Sequence, residues 1–548
     1  MQRSYIGLSG SSISLVALAL MTATMATHAA DPSAAAPALA APVNRSVAGS
    51  PVPATAIAAS ADPAMIDRGR YLATASDCIA CHTTHHGKPM AGGLVMSSPV
   101  GNIVSTNITP STTHGIGNYT EQQFSNAVRK GVRADGAHLY PAMPYPSYAV
   151  MTDEDIHAMY VYFMHGVDAV DTETAATTLP FPMNLRFLMT GWNLLFVPDA
   201  PLVADVNKSE EWNRGRYLTL GAAHCSTCHT PRGFMMQEQL GKSLGGAQVG
   251  PWYAPNITPD KATGIGSWSQ EDLVTYLRTG RVEGKAQAAG SMAEAISFSF
   301  SKLTDADLNA IATYVRDVPA VRTARAAGDA AASASAAPAS AASSEGSASS
   351  AADSPAASAS SAPASPRPAA STRFEHGAPA NDLPDFRGEG YVNGLQGRSP
   401  GGQLFSANCA SCHGYNAQGT PDGYYPSLFS NSATAGASPS NLVATILYGV
   451  DRNTPSGHVF MPPFGGQPNA LTALNNEEIA QLANYVFDHH GDPALKVSAR
   501  DVQQIREGGP RSNLVTLART GMAAGIVAIV LLAVIAMRLR RRRKLSAR

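Results

Sequence analysis

Three segments place apolar residues at helical spacing behind a short polar start: "TDEDIHAMYVYF" from Thr152, "TDADLNAIATYV" from Thr304 and "NNEEIAQLANYVFDHH" from Asn475. Each predicts an amphipathic helix with one face in a core. A different pattern closes the chain. Thr520 to Met537 carries no charge, enough for one transmembrane helix, here placed at 514–537, and "RLRRRRK" follows at once. By the positive-inside rule this basic tail, 538–548, stays in the cytoplasm and the rest lies outside. Residues 1–30 run from Arg3 through "SLVALALMTATMA" to "THAA" and read as a secretory signal. Two stretches have little to bury. Residues 31–61 and the Ala/Ser/Pro-rich 321–385 cannot offset the entropy of ordering and read as disordered linkers.

A repeat divides what remains. "RGRYL" at 68–72 returns at 214–218, "NITP" at 107–110 returns at 256–259, and the helix from Thr152 answers the one from Thr304, with offsets of 146 to 152 residues. The repeat implies two related units, 62–170 and 206–320, joined by a connector, 171–205. A third unit, 386–493, shares only the outline: an apolar run, then its own closing helix. Within the connector, "FPMNLRFLMTGWNLLFVP" is dense in large apolar side chains and holds one charge, Arg186. It is either the seam between the paired units or an exposed docking patch with Trp192 as its anchor, against a partner subunit or the bilayer surface.

The chemistry sits in three short stretches. "CIACH", "CSTCH" and "CASCH" use all six cysteines of the chain: Cys78, Cys81, Cys225, Cys228, Cys409 and Cys412. None remains for a disulfide framework. A zinc site needs four ligands close together, and these pairs lie far apart in sequence. A redox dithiol does not need the histidine. Covalent attachment of a c-type haem uses every element, two thioethers and a proximal imidazole from His82, His229 or His413. A net charge of −1 points to no nucleic acid.

Each iron then needs a distal ligand. In the third unit Met461, in "HVFMPPFGG", stands 49 residues after Cys412 and is the sole methionine before the membrane helix. The matching residues are Met143, 62 residues after Cys81, and Met292, 64 residues after Cys228. Other methionines suit packing. With both axial positions filled there is no open site for substrate. The sequence assigns no catalytic residue and describes an electron relay, not an enzyme in its own right.

"STNITP", "GIGNYTEQQFSNAVRKGVRADGAHLYPAMPY", "TDEDIHAMY" and "PMNLRFLMTGWNLLF" together resemble the three-haem cytochrome c subunit of bacterial membrane-bound dehydrogenases. Such subunits accompany alcohol dehydrogenases with pyrroloquinoline quinone and flavin-dependent gluconate or other sugar dehydrogenases. The resemblance implies a mainly α fold of three cytochrome c-like domains, three covalent haems and a bacterial inner-membrane location with the haem domains in the periplasm. It implies a catalytic partner of quinoprotein, flavin or molybdenum type and delivery of electrons to ubiquinone or a downstream cytochrome. Two other classes use the same residues: a terminal-oxidase cytochrome c subunit, and a multihaem peroxidase or reductase that opens one haem at Met292.

Overall fold

The computed structural model describes residues 62–98, 100–323 and 399–546. The signal, the segment 31–61 and nearly all of the Ala/Ser/Pro-rich linker fall outside these residues.

The first part of the chain forms α1 (Pro63–Ala75), α2 (Cys78–Cys81), the hairpin β1 (Val95–Ser98) and β2 (Gly101–Val104), α3 (Glu121–Lys130), α4 (Tyr145–Tyr148) and α5 (Asp153–His165). The connector contributes α6 (Leu188–Phe196). The order then recurs as α7 (Glu210–Leu220), α8 (Cys225–His229), β3 (Ala247–Val249), β4 (Trp252–Ala254) and α9 (Gln270–Thr279). The hairpin β5 (Arg281–Val282) and β6 (Ala286–Gln287) follows, with α10 (Gly290–Phe298) and α11 (Asp305–Val315). The third part has α12 (Pro400–Asn408), α13 (Ala410–His413), α14 (Ser432–Ala435), α15 (Ser440–Tyr448), β7 (Val450–Thr454), β8 (Gly457–Met461), α16 (Asn476–His490) and α17 (Ala499–Arg506). Helix α18 (Leu514–Ser546) ends the described chain. All four hairpins are two-stranded and antiparallel.

The three amphipathic patterns are α5, α11 and α16. Each starts on a side-chain cap: Thr152 accepts from the Asp155 amide, Thr304 from the Asp307 amide and Asn475 from the Glu478 amide. Each is crossed by the helix that precedes a cysteine turn, α1 on α5, α7 on α11 and α12 on α16. The crossing is close enough to require glycine. A Cβ on Gly69 would lie 2.0 Å from the Ala158 carbonyl oxygen, on Gly215 1.8 Å from that of Ala310, and on Gly401 2.2 Å from that of Gln481. The glycine of "RGRYL" is therefore a packing residue.

The paired units share one continuous core, from Leu72 and Met159 through Leu218 and Ile296 to Leu308 and Val315. The repeat also builds a symmetric polar seam. Arg68 Nη2 donates to Asp155 Oδ1 (2.6 Å), and Arg214 donates to both oxygens of Asp307 (2.7 Å each). Each carboxylate takes its remaining bond from the other unit, Tyr217 Oη to Asp155 (2.6 Å) and Tyr71 Oη to Asp307 (2.6 Å). The exchange is isologous, like a two-fold contact between identical subunits.

The third part has its own core around Phe405, Leu447, Leu482, Val486 and Phe487. A linker-joined unit suggests loose attachment; in the structure it is docked on the second. Asn441 pairs with the main chain of Tyr253 twice, accepting from its amide and donating to its carbonyl (2.9 Å each). The Ser432 amide donates to the Lys285 carbonyl (2.9 Å), and fully buried Arg452 donates to the Ala288 carbonyl (2.7 Å) and to Gln287 Oε1 (3.1 Å).

The connector divides between the two readings of its sequence. Trp192 belongs to the seam: it is buried, its indole N–H donates to the Met235 carbonyl (2.9 Å), and its ring meets Tyr145 edge-on. Phe181, Phe187, Leu194 and Leu195 are exposed.

Candidate haem sites

Each cysteine pair lies on a single helical turn after the crossing helix. In the paired units the residue before the turn is left-handed, Asp77 at φ 51° and His224 at φ 36°. This bend turns the chain from α1 into α2 and from α7 into α8. The six sulfurs are thiols with no disulfide. Burial pushes the thiols of Cys78, Cys81, Cys225 and Cys409 up to about 12. Such a setting suits uncharged sulfur, as in a thioether, and disfavours the thiolate that zinc or a redox dithiol needs. Among the described residues no three His, Cys, Asp or Glu side chains converge as a metal site.

The histidines share one arrangement. Nδ1–H of His82 donates to the Thr106 carbonyl (2.7 Å), that of His229 to the Pro255 carbonyl (2.6 Å) and that of His413 to the Pro426 carbonyl (2.8 Å). With the proton held on Nδ1, the lone pair is on Nε2, which is the tautomer a metal-binding imidazole requires. Burial lowers the pKa of His82 and His413, keeping them neutral.

The repeated "NITP" explains the carbonyl on the other end of this bond. Thr106 and Pro255 immediately precede it. Asn107 Oδ1 accepts from the amide (2.9 Å) and hydroxyl (2.7 Å) of Thr109, and its amide group donates to the Val170 carbonyl (2.7 Å). Asn256 does the same with Thr258 (2.8 and 2.7 Å) and the Val321 carbonyl (2.5 Å). These Asx turns fix the carbonyl that orients the imidazole. The recurrence of "NITP" 25 residues after His82 and 27 after His229 is the trace this support leaves in the sequence.

The second site opens into a cavity. Cys225, Cys228, His229 and Met292 all line it, with Trp252, Trp268, Leu273 and Phe300 among its walls. The space free of protein atoms is about 1600 Å³, its open mouth included, and its lining is mostly apolar, which fits a large flat apolar group. Met292 stands near the start of α10. That helix begins at Gly290, φ 52°, where a Cβ would lie 2.2 Å from the Trp252 ring. In the first unit Met143, half-buried in the loop before α4, packs on the same core as Cys78. In the third, Met461 packs with Cys409 on the separate core. Met461 is the last residue of β8, paired with Val450, and not part of the proline loop that follows it. The hairpin is stopped by Pro462 and Pro463, which lack the amide a ladder needs.

The sites adjoin one another through the second. Ala75 and Asp77 of the first unit, and Ser432, Ala433, Asn441 and Thr445 of the third, line the same cavity. Helix α10 packs against the Cys78–Cys81 turn on one side and against β7 on another. The β5–β6 hairpin lines the cavity through Ala286 and Gln287 and also abuts Pro426, whose carbonyl holds His413.

Comparison with known proteins meets this geometry. The cytochrome c family model matches residues 214–319 and 399–488. The fructose dehydrogenase cytochrome subunit of Gluconobacter japonicus is 43% identical over 500 residues, covering 89% of this chain and 93% of the relative. The chain belongs to the cytochrome c subunit family of bacterial membrane-bound dehydrogenases. The cytochrome c subunit of the quinone alcohol dehydrogenase of Gluconobacter oxydans (strain 621H) is 35% identical to it over 469 residues, 83% of this cytochrome subunit and 84% of the relative. The gluconate 2-dehydrogenase cytochrome c subunit of Pantoea cypripedii is 44% identical over 269 residues, 47% and 61% of the two chains. Membership makes this cytochrome subunit an electron-transfer protein carrying covalent haem c. Helix α18 agrees in kind with a membrane complex: Leu514–Arg543 is long and apolar enough to cross a bilayer, and its apolar window is unburied.

Proposed function

We propose that the chain holds three haems c and passes electrons from a catalytic dehydrogenase subunit to the membrane quinone pool. The domains are 62–170, 206–320 and 386–493, in the periplasm, with α18 as the single membrane span. Cys78 and Cys81 would hold the first haem, with His82 and Met143 as the side chains that meet its iron. Cys225 and Cys228 would hold the second with His229 and Met292, and Cys409 and Cys412 the third with His413 and Met461. The carrying observation is the threefold recurrence of a half-buried cysteine pair beside an imidazole whose Nδ1–H is fixed by a main-chain carbonyl.

Bound haem supplies a one-electron couple; the chain supplies position and potential. Apolar walls around the second site disfavour the more highly charged oxidised state and raise its potential, as thioether ligation does. That the second cavity touches both other units supports a relay in which the second haem is the middle member. The relatives act with fructose, alcohol and gluconate dehydrogenases, so the donor here oxidises a CH–OH group of a sugar or alcohol.

The intact mass of the mature chain tests this directly. Three haem increments are expected; two or none would overturn the assignment. Copurification from membranes identifies the donor, and a donor that does not oxidise alcohols or sugars would overturn its class.

A further inference from the structure

The connector face that the seam leaves uncovered has a position as well as a composition. Phe181 is 49% exposed, Phe187 55%, Leu194 85% and Leu195 60%. Phe187, Gly191 and Leu194 follow helical spacing, with Leu195 beside them. The inner side of the same element is polar and engaged. Asn193 donates to the Lys130 carbonyl (2.8 Å) and accepts from Tyr145 Oη (2.9 Å), while Thr190, at the exposed edge of the element, has its Oγ1 2.9 Å from His138 Nε2. Arg186, the one charge of the segment, is turned inward, donating to the His138 carbonyl (2.7 Å) and lying 4.7 Å from the centre of the Tyr140 ring. The outward face therefore carries large apolar groups and no charge.

What covers that face follows from its neighbour. Arg519 Nε donates to the Phe181 carbonyl (2.8 Å). Arg519 is the last charged residue before the uncharged run Thr520–Met537. A cation at the mouth of a span sits among phospholipid headgroups, so the Phe181 main chain lies at that depth. An amphipathic element there buries its apolar face at the boundary of headgroups and acyl chains.

We propose that Phe181, Phe187, Leu194 and Leu195 form a second membrane attachment, an interfacial element seated in the phospholipid surface beside the entry of α18. It rests on the reading of α18 as a span. Its inner contacts run to residues 138–145, the loop that carries Met143, so the attachment holds the first unit against the bilayer through its distal methionine loop.

Site-directed spin labelling of the full chain in phosphatidylcholine–phosphatidylglycerol vesicles tests the seat. Labels are introduced by L194C, L195C, V530C and L240C; Leu240 is an exposed residue of the second unit (79%), and the wild-type chain supplies the unlabelled control. At 194, 195 and 530, relaxation by oxygen should exceed relaxation by a water-soluble nickel chelate, giving a ratio above unity, and at 240 the order should reverse. Water-like ratios at 194 and 195 with a lipid-like ratio at 530 would overturn the attachment and leave the span standing. A water-like ratio at 530 would overturn the span, and the attachment with it unless 194 and 195 were still lipid-like. Exclusion of both reagents at 194 and 195 would mean that protein covers the face, which also overturns it.

Discussion

Asn256 touches none of the atoms that would meet iron, yet it sets where His229 points. Its side chain braces the turn that presents the Pro255 carbonyl, and that carbonyl fixes the imidazole through Nδ1. Asn256→Ala should leave covalent attachment intact while loosening this bond. Removing a buried partner costs about 1–3 kcal/mol; the expected signs are a lower unfolding midpoint and a changed low-spin spectrum at a single haem. Asn107→Ala should do the same to another haem. Gly290→Ala is a sharper test. The added Cβ meets the Trp252 ring at a left-handed residue two positions before Met292, so the variant should lose thioether ligation at the second site, read as loss of the sulfur–iron absorption band. The cysteine turns were legible in the sequence because their chemistry is local. The role of Asn107 and Asn256 was not, since a side chain that supports a carbonyl leaves no mark except repetition.

Between elements, the paired units are joined by a swap in which each tyrosine serves the other unit's aspartate. Tyr71→Phe or Tyr217→Phe removes one bond to a charged acceptor, worth about 1.5–3 kcal/mol, and should lower the thermal midpoint of both units together because their core is continuous. Burial opposes ionisation of Asp307, but hydrogen bonds from Arg214 and Tyr71 and the Arg214 charge outweigh it and hold the carboxyl below its ordinary value. A depressed carboxyl contributes stability above its unfolded pKa, about 3.9, and loses that contribution as pH falls through the folded value. The seam should therefore weaken below about pH 4, and Asp307→Asn should remove part of that acid dependence in denaturation titrations. The closing helices were readable from their periodicity. Their crossing partners were signalled only by a glycine inside a helical pattern, which a close main-chain approach explains.

For the whole molecule, docking of the third unit changes what truncation should do. A chain ending near residue 326 loses Ser432, Ala433, Asn441 and Thr445 from the wall of the second cavity. The fragment should retain two haems, but water at the second site favours the oxidised state, so its midpoint potential should fall in a redox titration relative to the full chain. Arg452→Ala should move the potential in the same direction by a smaller amount, because it loosens the contact without removing the unit. In the sequence the third unit shows only the linker that joins it. The contact is made largely to main-chain atoms of Tyr253, Lys285 and Ala288, and Arg452 sits in a strand between Asp451 and Asn453 whose pattern reads as solvated. Backbone acceptors are available in every sequence and so distinguish none.

The tyrosine swap bears on ancestry. An isologous contact within one polypeptide is the arrangement two copies of a single-haem protein would adopt as a homodimer. Fusion of the two genes would have inherited that interface complete and made its assembly independent of concentration. The residues of that contact lie in letters both halves still share, Arg-Gly-Arg-Tyr at 68–71 and 214–217 and Thr-Asp-x-Asp at 152–155 and 304–307.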